Sequence, residues 1–406
     1  MQLCVPCERP RARRRGLRLA GVGLLGTLGL AAGGLGAAVL PATGAGASNP
    51  ASLDCGTLVV SGTDGNNYQF TEFTTGNATR GANIDSGGSV AYGGNLTASN
   101  FTVGQNITTS AATNTAFVGG NETGQLNMDD GSVVVAGTAS GPINLNQSGA
   151  TQTVGGGAST IPFSFTSIGS ALATCADNYG PNATTTAGTI TQLNPSYSTL
   201  GFSATGSVNV FNVTTDQLVG VNKIDFSVPS GSTTLVEVTP SADFNGSLNL
   251  NAISGNIYYG CPAAAPSAAN TLWNSGNCGS QPSANENSTT IDVERDNTVW
   301  NLSPSLFPST DTLTVTGWQG TIVAPDQAVT LDSNGQFDGS IFAASISGGE
   351  QTNFDPFGGT MPSSSNPLPA LPEGLPIELG GLAVLGLGGL ALRRHRRRSG
   401  AVSRAA

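Results

Sequence analysis

The sequence predicts a mainly-β domain, and three observations favour a β-solenoid. Residues 48–360 are rich in Gly, Thr, Ser, Asn and Val and poor in residues that prefer helix. Short apolar runs recur and are closed by turn-forming residues, as in Ser89–Asn95 and Thr115–Asn121. The phrase Gly320–Pro325 also recurs as Gly339–Ala344, at an offset of 19 residues.

This repeat has about the length of one solenoid coil with three short strands. Ala328–Leu331 and Gly335–Asp338 lie between its two copies. One coil cannot bury its own apolar face, so neighbouring coils must stack to make a core. A β-sandwich with Gly-rich hairpins is the alternative, and strand spacing alone does not separate the two folds.

One segment, residues 163–175, has a different periodicity. Its apolar residues recur at helical spacing, at Phe165, Ile168, Leu172 and Cys175. Pro162 suits a first helical turn. We therefore expect one α-helix packed along the solenoid.

Charge is distributed unevenly along the chain. Twelve of the 15 Lys and Arg residues lie in the two terminal clusters, within residues 9–18 and 393–404. Residues 48–392 contain three cations, Arg80, Lys223 and Arg295, against 24 carboxylates, a net charge of −21. A nucleic-acid surface needs clustered cations, so this class of partner is excluded. The carboxylates leave a Ca²⁺ requirement open.

The two ends predict export and anchoring. Residues 1–47 combine a basic stretch, the apolar run Leu19–Leu40 and a small-residue exit, which is typical of a signal peptide. Residues 361–376 are a Pro-rich linker, and the apolar residues 377–392 precede the basic tail 393–406. This order predicts a single membrane anchor with the tail inside the cell. We expect residues 48–360 to form an extracellular domain.

Four cysteines remain after removal of the signal peptide. An even number in an exported chain predicts two disulfides and no metal site. Cys261 and Cys278 flank a Gly/Pro/Asn/Ser loop and are the preferred pair, which leaves Cys55 with Cys175. The sequence alone allows three connectivities.

Residue types limit the possible catalytic chemistry. The single histidine, His395, lies in the basic tail, so residues 48–360 contain no Ser-His-Asp, Cys-His or His-metal site. Carboxylate chemistry remains, and its candidates are Asp129, Asp130, Asp292, Glu294 and Asp296, with Arg295 beside the last two. We expect solvated turn residues there, with Ca²⁺ as an alternative, and we predict no enzymatic activity and no cofactor.

Three tryptophans are candidate sugar platforms. Trp300 and Trp318 lie in strand-like apolar phrases, which predicts a core position, whereas Trp273 lies in the loop near Cys278 and is the candidate ligand contact.

Hydroxyl residues are a second candidate surface. Thr312, Thr314 and Thr316 alternate along one strand. Ice binding requires such positions to align over several coils, but the 19-residue repeat aligns only Thr321 with Ser340. The 19-residue repeat therefore shows no extended row of hydroxyls. Eleven Asn-x-Ser/Thr sequons also occur, and chance explains many of them in a chain of this composition.

From about Leu53 to Phe357 the chain resembles the choice-of-anchor A family. Five phrases carry the resemblance: Val208–Val213, Thr298–Leu302, Gly317–Pro325, Gly339–Ser347 and Gly349–Phe357. Val90–Asn95 and the predicted helix also fit. The resemblance implies an ice-binding-like, right-handed parallel β-solenoid with a flanking helix, regarded as an adhesive domain, without implying a ligand.

Together these observations predict a cell-surface adhesive protein that is anchored in the membrane and contacts an extracellular polymer or a host or matrix surface. An ice-binding protein and a carboxylate-dependent polysaccharide-active enzyme are the alternatives.

Overall fold

The computed structural model describes residues 50–182, 184–194, 198–261, 290–332 and 335–362. Within these ranges, 19 strands pair in parallel to form one long sheet, and two smaller sheets contain three and four strands. Parallel stacking of successive turns of chain is the arrangement of a solenoid. A β-sandwich would pair its strands in antiparallel fashion, so that alternative is wrong.

Twelve strands precede the first α-helix. They are β1 (Ser52–Asp54), β2 (Val59–Ser61), β3 (Asn67–Tyr68), β4 (Phe70–Thr74), β5 (Ala78–Ser86), β6 (Ser89–Tyr92), β7 (Leu96–Val103), β8 (Asn114–Val118), β9 (Glu122–Met128), β10 (Ser132–Val135), β11 (Ile143–Leu145) and β12 (Gln152–Val154). A 3₁₀ turn at Ala158–Thr160 leads into helix α1 (Phe165–Asn178).

The remaining strands follow α1. They are β13 (Thr186–Ala187), β14 (Thr189–Asn194), β15 (Thr199–Ser203), β16 (Val208–Thr214), β17 (Lys223–Ser227), β18 (Thr233–Thr239), β19 (Ser247–Asn249), β20 (Ile257–Tyr258), β21 (Thr298–Asn301), β22 (Thr312–Val315), β23 (Thr321–Leu331), β24 (Gln336–Gly339), β25 (Ile341–Gly348) and β26 (Gln351–Phe354). Two further helices are α2 (Thr215–Leu218) and α3 (Thr290–Asp296).

The first strands of the long sheet, β4 and β5, lie in the middle of the stack of coils. Strand β25, near the end of the domain, pairs with β4 and β5, so that Phe342 aligns with Phe73 and Ser347 with Thr79. From this seam, strands β4–β12 stack away in one direction and strands β13–β26 in the other, of which β14, β15, β17 and β20 form the four-stranded sheet. We call these two groups the N-terminal coils and the C-terminal coils. The predicted 19-residue repeat is one coil, because Ile322 aligns with Ile341.

Buried charged and polar groups join the two groups of coils at the seam. Arg80 Nη2 lies 3.3 Å from Glu72 Oε1, and both side chains are fully buried. Tyr92 and Thr352 donate hydrogen bonds to Glu72 at 2.7 and 2.6 Å. Arg80 also donates to the Glu350 carbonyl oxygen at 2.7 Å. Two of these contacts cross the seam, Thr352 to Glu72 and Arg80 to the Glu350 carbonyl oxygen, whereas Arg80, Glu72 and Tyr92 all lie in the N-terminal coils. Both crossing hydrogen bonds are charge-assisted, and such bonds are stronger than neutral ones.

Helix α1 confirms the helical periodicity of the sequence. Ile168, Leu172 and Cys175 are buried against the long sheet, whereas Phe165 is only half-buried. The helix begins at Phe165, and the Ser164 side chain caps it by accepting from the Ser167 N–H at 3.2 Å. The expectation that Pro162 lies in the first turn is wrong, because the cap follows it by two residues.

Cys55 and Cys175 form a disulfide with a Cα–Cα distance of 5.5 Å, which ties α1 to the start of the domain. Cys278 and Trp273 lie outside the described residues, so the Cys261–Cys278 pair and the ligand contact at Trp273 stay predictions. The signal peptide, the anchor at 377–392 and the basic tail also lie outside them. No helix in the described ranges is long and apolar enough to cross a membrane.

Candidate functional site

The two tryptophans assigned to the core are buried. Trp300 and Trp318 are each 1% exposed, and their ring centroids lie 4.8 Å apart. Trp300 Nε1 donates to the Gln319 carbonyl oxygen at 3.2 Å. These rings stabilise the C-terminal coils and cannot serve as a sugar platform.

Two of the five acidic candidates, Asp129 and Asp296, accept side-chain hydrogen bonds within the fold. Asp130 is half-buried, and the side chain of Asp292 lies outside the described residues. Asp129 accepts from Asn146 Nδ2 at 2.6 Å on the neighbouring coil. Arg295, which is buried, donates to Asp355 at 2.6 Å and to Asp296 at 2.9 Å. Burial raises the pKa of Glu294. Within the described ranges, no group of three or more His, Cys, Asp or Glu side chains is arranged to hold a metal ion.

All three cations of residues 48–392 lie in ion pairs. Arg80 pairs with Glu72, and Arg295 pairs with Asp296 and Asp355. Lys223 Nζ lies 2.9 Å from Asp225 Oδ2 and 4.9 Å from the centre of the Tyr258 ring. The domain therefore offers no unpaired cation to a ligand, and its unpaired surface charge is negative.

One wall of the solenoid carries a row of small polar side chains, one from each coil. The strand register aligns seven of them in the order Asn249, Thr314, Thr330, Ser347, Thr79, Thr97 and Thr123. Ser140 extends the row by one coil, because its neighbour Ala139 bridges Glu122. We call these eight residues the outer row.

A second row lies two residues earlier on the same turns of chain. Its members are Ser247, Thr312, Ala328, Ser345, Asn77, Asn95, Asn121 and Thr138. We call it the corner row, and the two rows together the ladder face. Residues between the rows, such as Leu96 and Val329, point inward and are buried. Every side chain of the ladder face except Ala328 is a hydroxyl or a carboxamide.

Asparagines build the corner row in the N-terminal coils. The Asn95 N–H donates to Asn77 Oδ1 at 2.8 Å, and the Asn121 N–H donates to Asn95 Oδ1 at 2.8 Å. A glycine precedes each of these asparagines, because a larger residue at that position would collide with the coil below. A Cβ on Gly94 would lie 2.3 Å from Asn77 Oδ1, so only glycine leaves room for the carboxamide below.

The ladder face is a regular array of neutral hydrogen-bonding groups. Thr123 Oγ1 donates to Thr97 Oγ1 at 3.3 Å, and the Thr330 and Ser347 hydroxyls lie 3.2 Å apart. Neighbouring coils lie about 4.8 Å apart and alternate residues of one strand about 6.7 Å apart, so eight coils span roughly 34 Å. Such a surface can donate and accept hydrogen bonds repeatedly to an extended partner.

The 19-residue repeat did not reveal the outer row, which extends through coils outside that repeat. The 19-residue repeat aligns Thr321 with Ser340, but both are buried and lie on a different wall from the ladder face. The signal that was missed is the phrase Gly-Asn-x-Thr, at Gly76–Thr79, Gly94–Thr97 and Gly120–Thr123. These are three of the eleven sequons, and the structure shows that they mark the same corner of successive coils.

Residues 63–354 match a protein-family model described as "Putative Ice-binding-like adhesive domain". Because this match covers more than half of the chain, the protein belongs to that family, as the sequence resemblance predicted. No curated protein and no solved structure matches the chain.

Proposed function

We propose that this is an exported, membrane-anchored surface protein and that its ladder face makes adhesive contacts with an extracellular polymer. The observation that carries the proposal is the continuous array of outward-facing hydroxyl and carboxamide groups across eight coils. Individual contacts of this kind are weak, but many in register give avidity. The family description, which names an adhesive domain, agrees with this function.

Anchoring is supported by the ends of the sequence. Residues 1–47 have the features of a signal peptide, and residues 377–392 precede a cluster of arginines. Deleting Ile377–Ala406 should release the protein into the medium. Retention of the truncated protein by cells would contradict the anchor.

We also propose that adhesion involves no catalysis. The polar residues of the ladder face are neutral, and general acid–base chemistry needs groups that titrate. Two of the acidic candidates support this view, because Asp129 accepts a hydrogen bond from Asn146 and Asp296 accepts one from Arg295. A polysaccharide depolymerisation assay with an Asp129→Ala control tests the proposal, and activity lost in that variant would contradict it.

The adhesive role of the ladder face is tested with cells that display the full chain. The double variant Thr97→Val and Thr123→Val removes two hydroxyls while keeping the β-branched shape. Thr108→Val with Thr153→Val is the matched control, because both residues are exposed and lie off the ladder face. We expect weaker adhesion in the first variant only. Equal adhesion of both variants would contradict the assignment of this face.

Ice binding is a second candidate, which the alignment of Thr79, Thr97 and Thr123 favours. A recrystallisation assay on the purified full chain separates it from polymer adhesion. Inhibition of ice growth that is lost in the Thr97→Val and Thr123→Val variant would establish this candidate instead.

A further inference from the structure

A groove of about 370 Å³ opens beside the corner row, at the start of helix α1. One wall of the groove is the segment from the 3₁₀ turn to the first turn of α1, and the other is formed by the corners of two N-terminal coils. Its lining includes Gly93, Gly119, Ala158, Phe163, Phe165 and Thr166. None of the residues that line it in the described ranges carries a charge.

The groove combines one accessible aromatic ring with a hydroxyl rim. Phe165 is half-buried, and its ring lies 5.3 Å from Phe163 and 5.7 Å from Phe73, which fixes its orientation. Thr63, Ser164 and Thr166 also line the groove and are exposed. A pyranose ring has the matching chemistry, because its C–H face is apolar and its edge carries hydroxyls.

The groove and the ladder face share two corners of the solenoid. Gly93 and Gly119 line the groove, and each lies two residues before an asparagine of the corner row, Asn95 and Asn121. A chain that lies on the ladder face can therefore place a ring or a branch in the groove. Both surfaces offer neutral hydrogen-bonding groups.

The charge of the domain favours an uncharged polymer over a polyanion as the ligand. The three cations of residues 48–392 are paired with carboxylates, and these residues carry a net charge of −21. A polyanion would be repelled and would find no unpaired cation to bind. An uncharged ligand pays no such electrostatic penalty.

We propose that the groove and the adjoining ladder face bind an uncharged polysaccharide, with one pyranose ring packed on Phe165. This inference rests on the proposed adhesive function and names its ligand class. Phe165 is the positioning contact, and the hydroxyls and carboxamides of Thr97, Asn95 and Thr123 bind along the chain. Because no ion pair is involved, binding should persist at raised salt concentration.

The test uses the full-length chain, captured on a sensor, with soluble polymers as probes. The neutral probes are laminarin, mannan and hydroxyethylcellulose, and the anionic probes are alginate and hyaluronate. We expect binding of at least one neutral probe, unchanged between 0.05 and 0.5 M salt (roughly the range over which surface charge interactions become screened), and no binding of either anionic probe.

Two groove variants and one control complete the design. Ala158 is exposed, so Ala158→Gln fills the groove without disturbing the core, and Phe165→Leu removes the ring. Each should weaken neutral-probe binding roughly tenfold, as expected for a central aromatic contact. Leu306→Gln is the control, because Leu306 is 44% exposed and does not line the groove. Thermal unfolding verifies that each variant is folded.

The outcomes separate this inference from the proposed function. Binding of an anionic probe alone, or ice binding alone, would overturn the ligand class; if it depended on Thr97 and Thr123, the adhesive ladder face would stand. Neutral-probe binding that Ala158→Gln leaves unchanged would overturn the groove. Absence of any adhesion that depends on Thr97 and Thr123 would overturn both.

Discussion

At one corner of the solenoid, the N-terminal coils repeat an asparagine, whereas the C-terminal coils have Ser247, Thr312, Ala328 and Ser345 at the corresponding positions. The asparagines link coils through hydrogen bonds that backbone N–H groups of the next coil donate to their carboxamide oxygens. Ala328 can make no such bond. The two groups of coils therefore share one strand register but differ in how their corners are held.

The buried side chains of the two groups of coils also differ. The C-terminal coils enclose a group of stacked and edge-on aromatic rings: Phe202, Phe211, Phe226, Tyr259, Trp300 and Trp318. One core cluster of the N-terminal coils is built mainly from Val, Leu, Ala and Met with Tyr92 and Phe101, whereas their other large rings, Phe70, Phe73 and Phe117, pack in a separate cluster with Phe163. The N-terminal coils, with their repeated asparagine corners, form the most regular part of the ladder face. The large rings of the C-terminal coils bury more apolar area per coil. Four predictions test this division.

The largest effect is expected in the aromatic interior. Trp300→Ala should lower the free energy of unfolding by about 4 kcal/mol, because it removes a fully buried ring and leaves a cavity. Urea unfolding followed by circular dichroism measures the change. Val154→Ala is the control, since Val154 is 41% exposed and should change stability by less than about 0.5 kcal/mol. A loss below about 1 kcal/mol for Trp300→Ala would contradict the role given to the rings.

The next effect is expected at the seam between the two groups. Arg80→Met should cost about 3 kcal/mol, because Glu72 is then buried without its cation. Glu72→Gln combined with Arg80→Met should recover part of that loss. Trp300 and Trp318 both pack in the interior of the C-terminal coils, so in a Trp273→Phe background tryptophan fluorescence reports that group, while circular dichroism reports both groups. Separate transitions by the two probes in Arg80→Met would show that the seam couples the groups, and coincident ones would count against it.

A smaller effect is expected in the pH dependence of the free energy of unfolding. Burial raises the pKa of Glu350 to about 7, although Arg80 and the Gly317 N–H oppose this shift. In the folded state Glu350 therefore keeps a proton that it releases near pH 4.5 in the unfolded state. The contribution of Glu350 to stability is fully present below pH 4.5 and is lost as the pH rises to about 7. A shift of this size corresponds to at most roughly 3 kcal/mol, and the loss should be about 2 to 3 kcal/mol.

Glu350→Gln tests this assignment, because its amide oxygen can still accept from Gly317. The free energy of unfolding of this variant should depend less on pH between 4.5 and 7 than that of the natural protein. Glu237, whose pKa burial also raises to about 7, should retain its own contribution. An unchanged pH slope would show that Glu350 does not titrate in this range.

The smallest effect is expected at the corner row. Asn95→Ala removes the oxygen that accepts from the Asn121 N–H and should cost about 1 kcal/mol. Ser345→Ala at the equivalent corner of a C-terminal coil should cost less than about 0.5 kcal/mol. Thermal unfolding of both variants measures the difference. Equal losses would mean that the asparagines contribute nothing beyond the other corner residues.

Local patterns in the sequence were enough to predict the β-rich composition, the helix around Ile168 and Leu172, the buried Trp300 and Trp318, and one solenoid coil between Ile322 and Ile341. Each of these depends on neighbouring residues, on hydrophobicity at a fixed period, or on a repeat within one stretch of chain. The family followed from phrases in the second half, and the family match confirms it.

Tertiary structure alone decided the seam and the ladder face. Arg80 and Thr352 lie 272 positions apart in the chain, yet both contact Glu72. The outer row likewise joins Ser347 to Thr79 across the seam. The spacing between equivalent positions also varies, being 18 residues from Asn77 to Asn95 and 26 from Asn95 to Asn121. No fixed period in the sequence reveals such a row, because loops of different lengths connect coils whose alignment is set by hydrogen bonds between backbones.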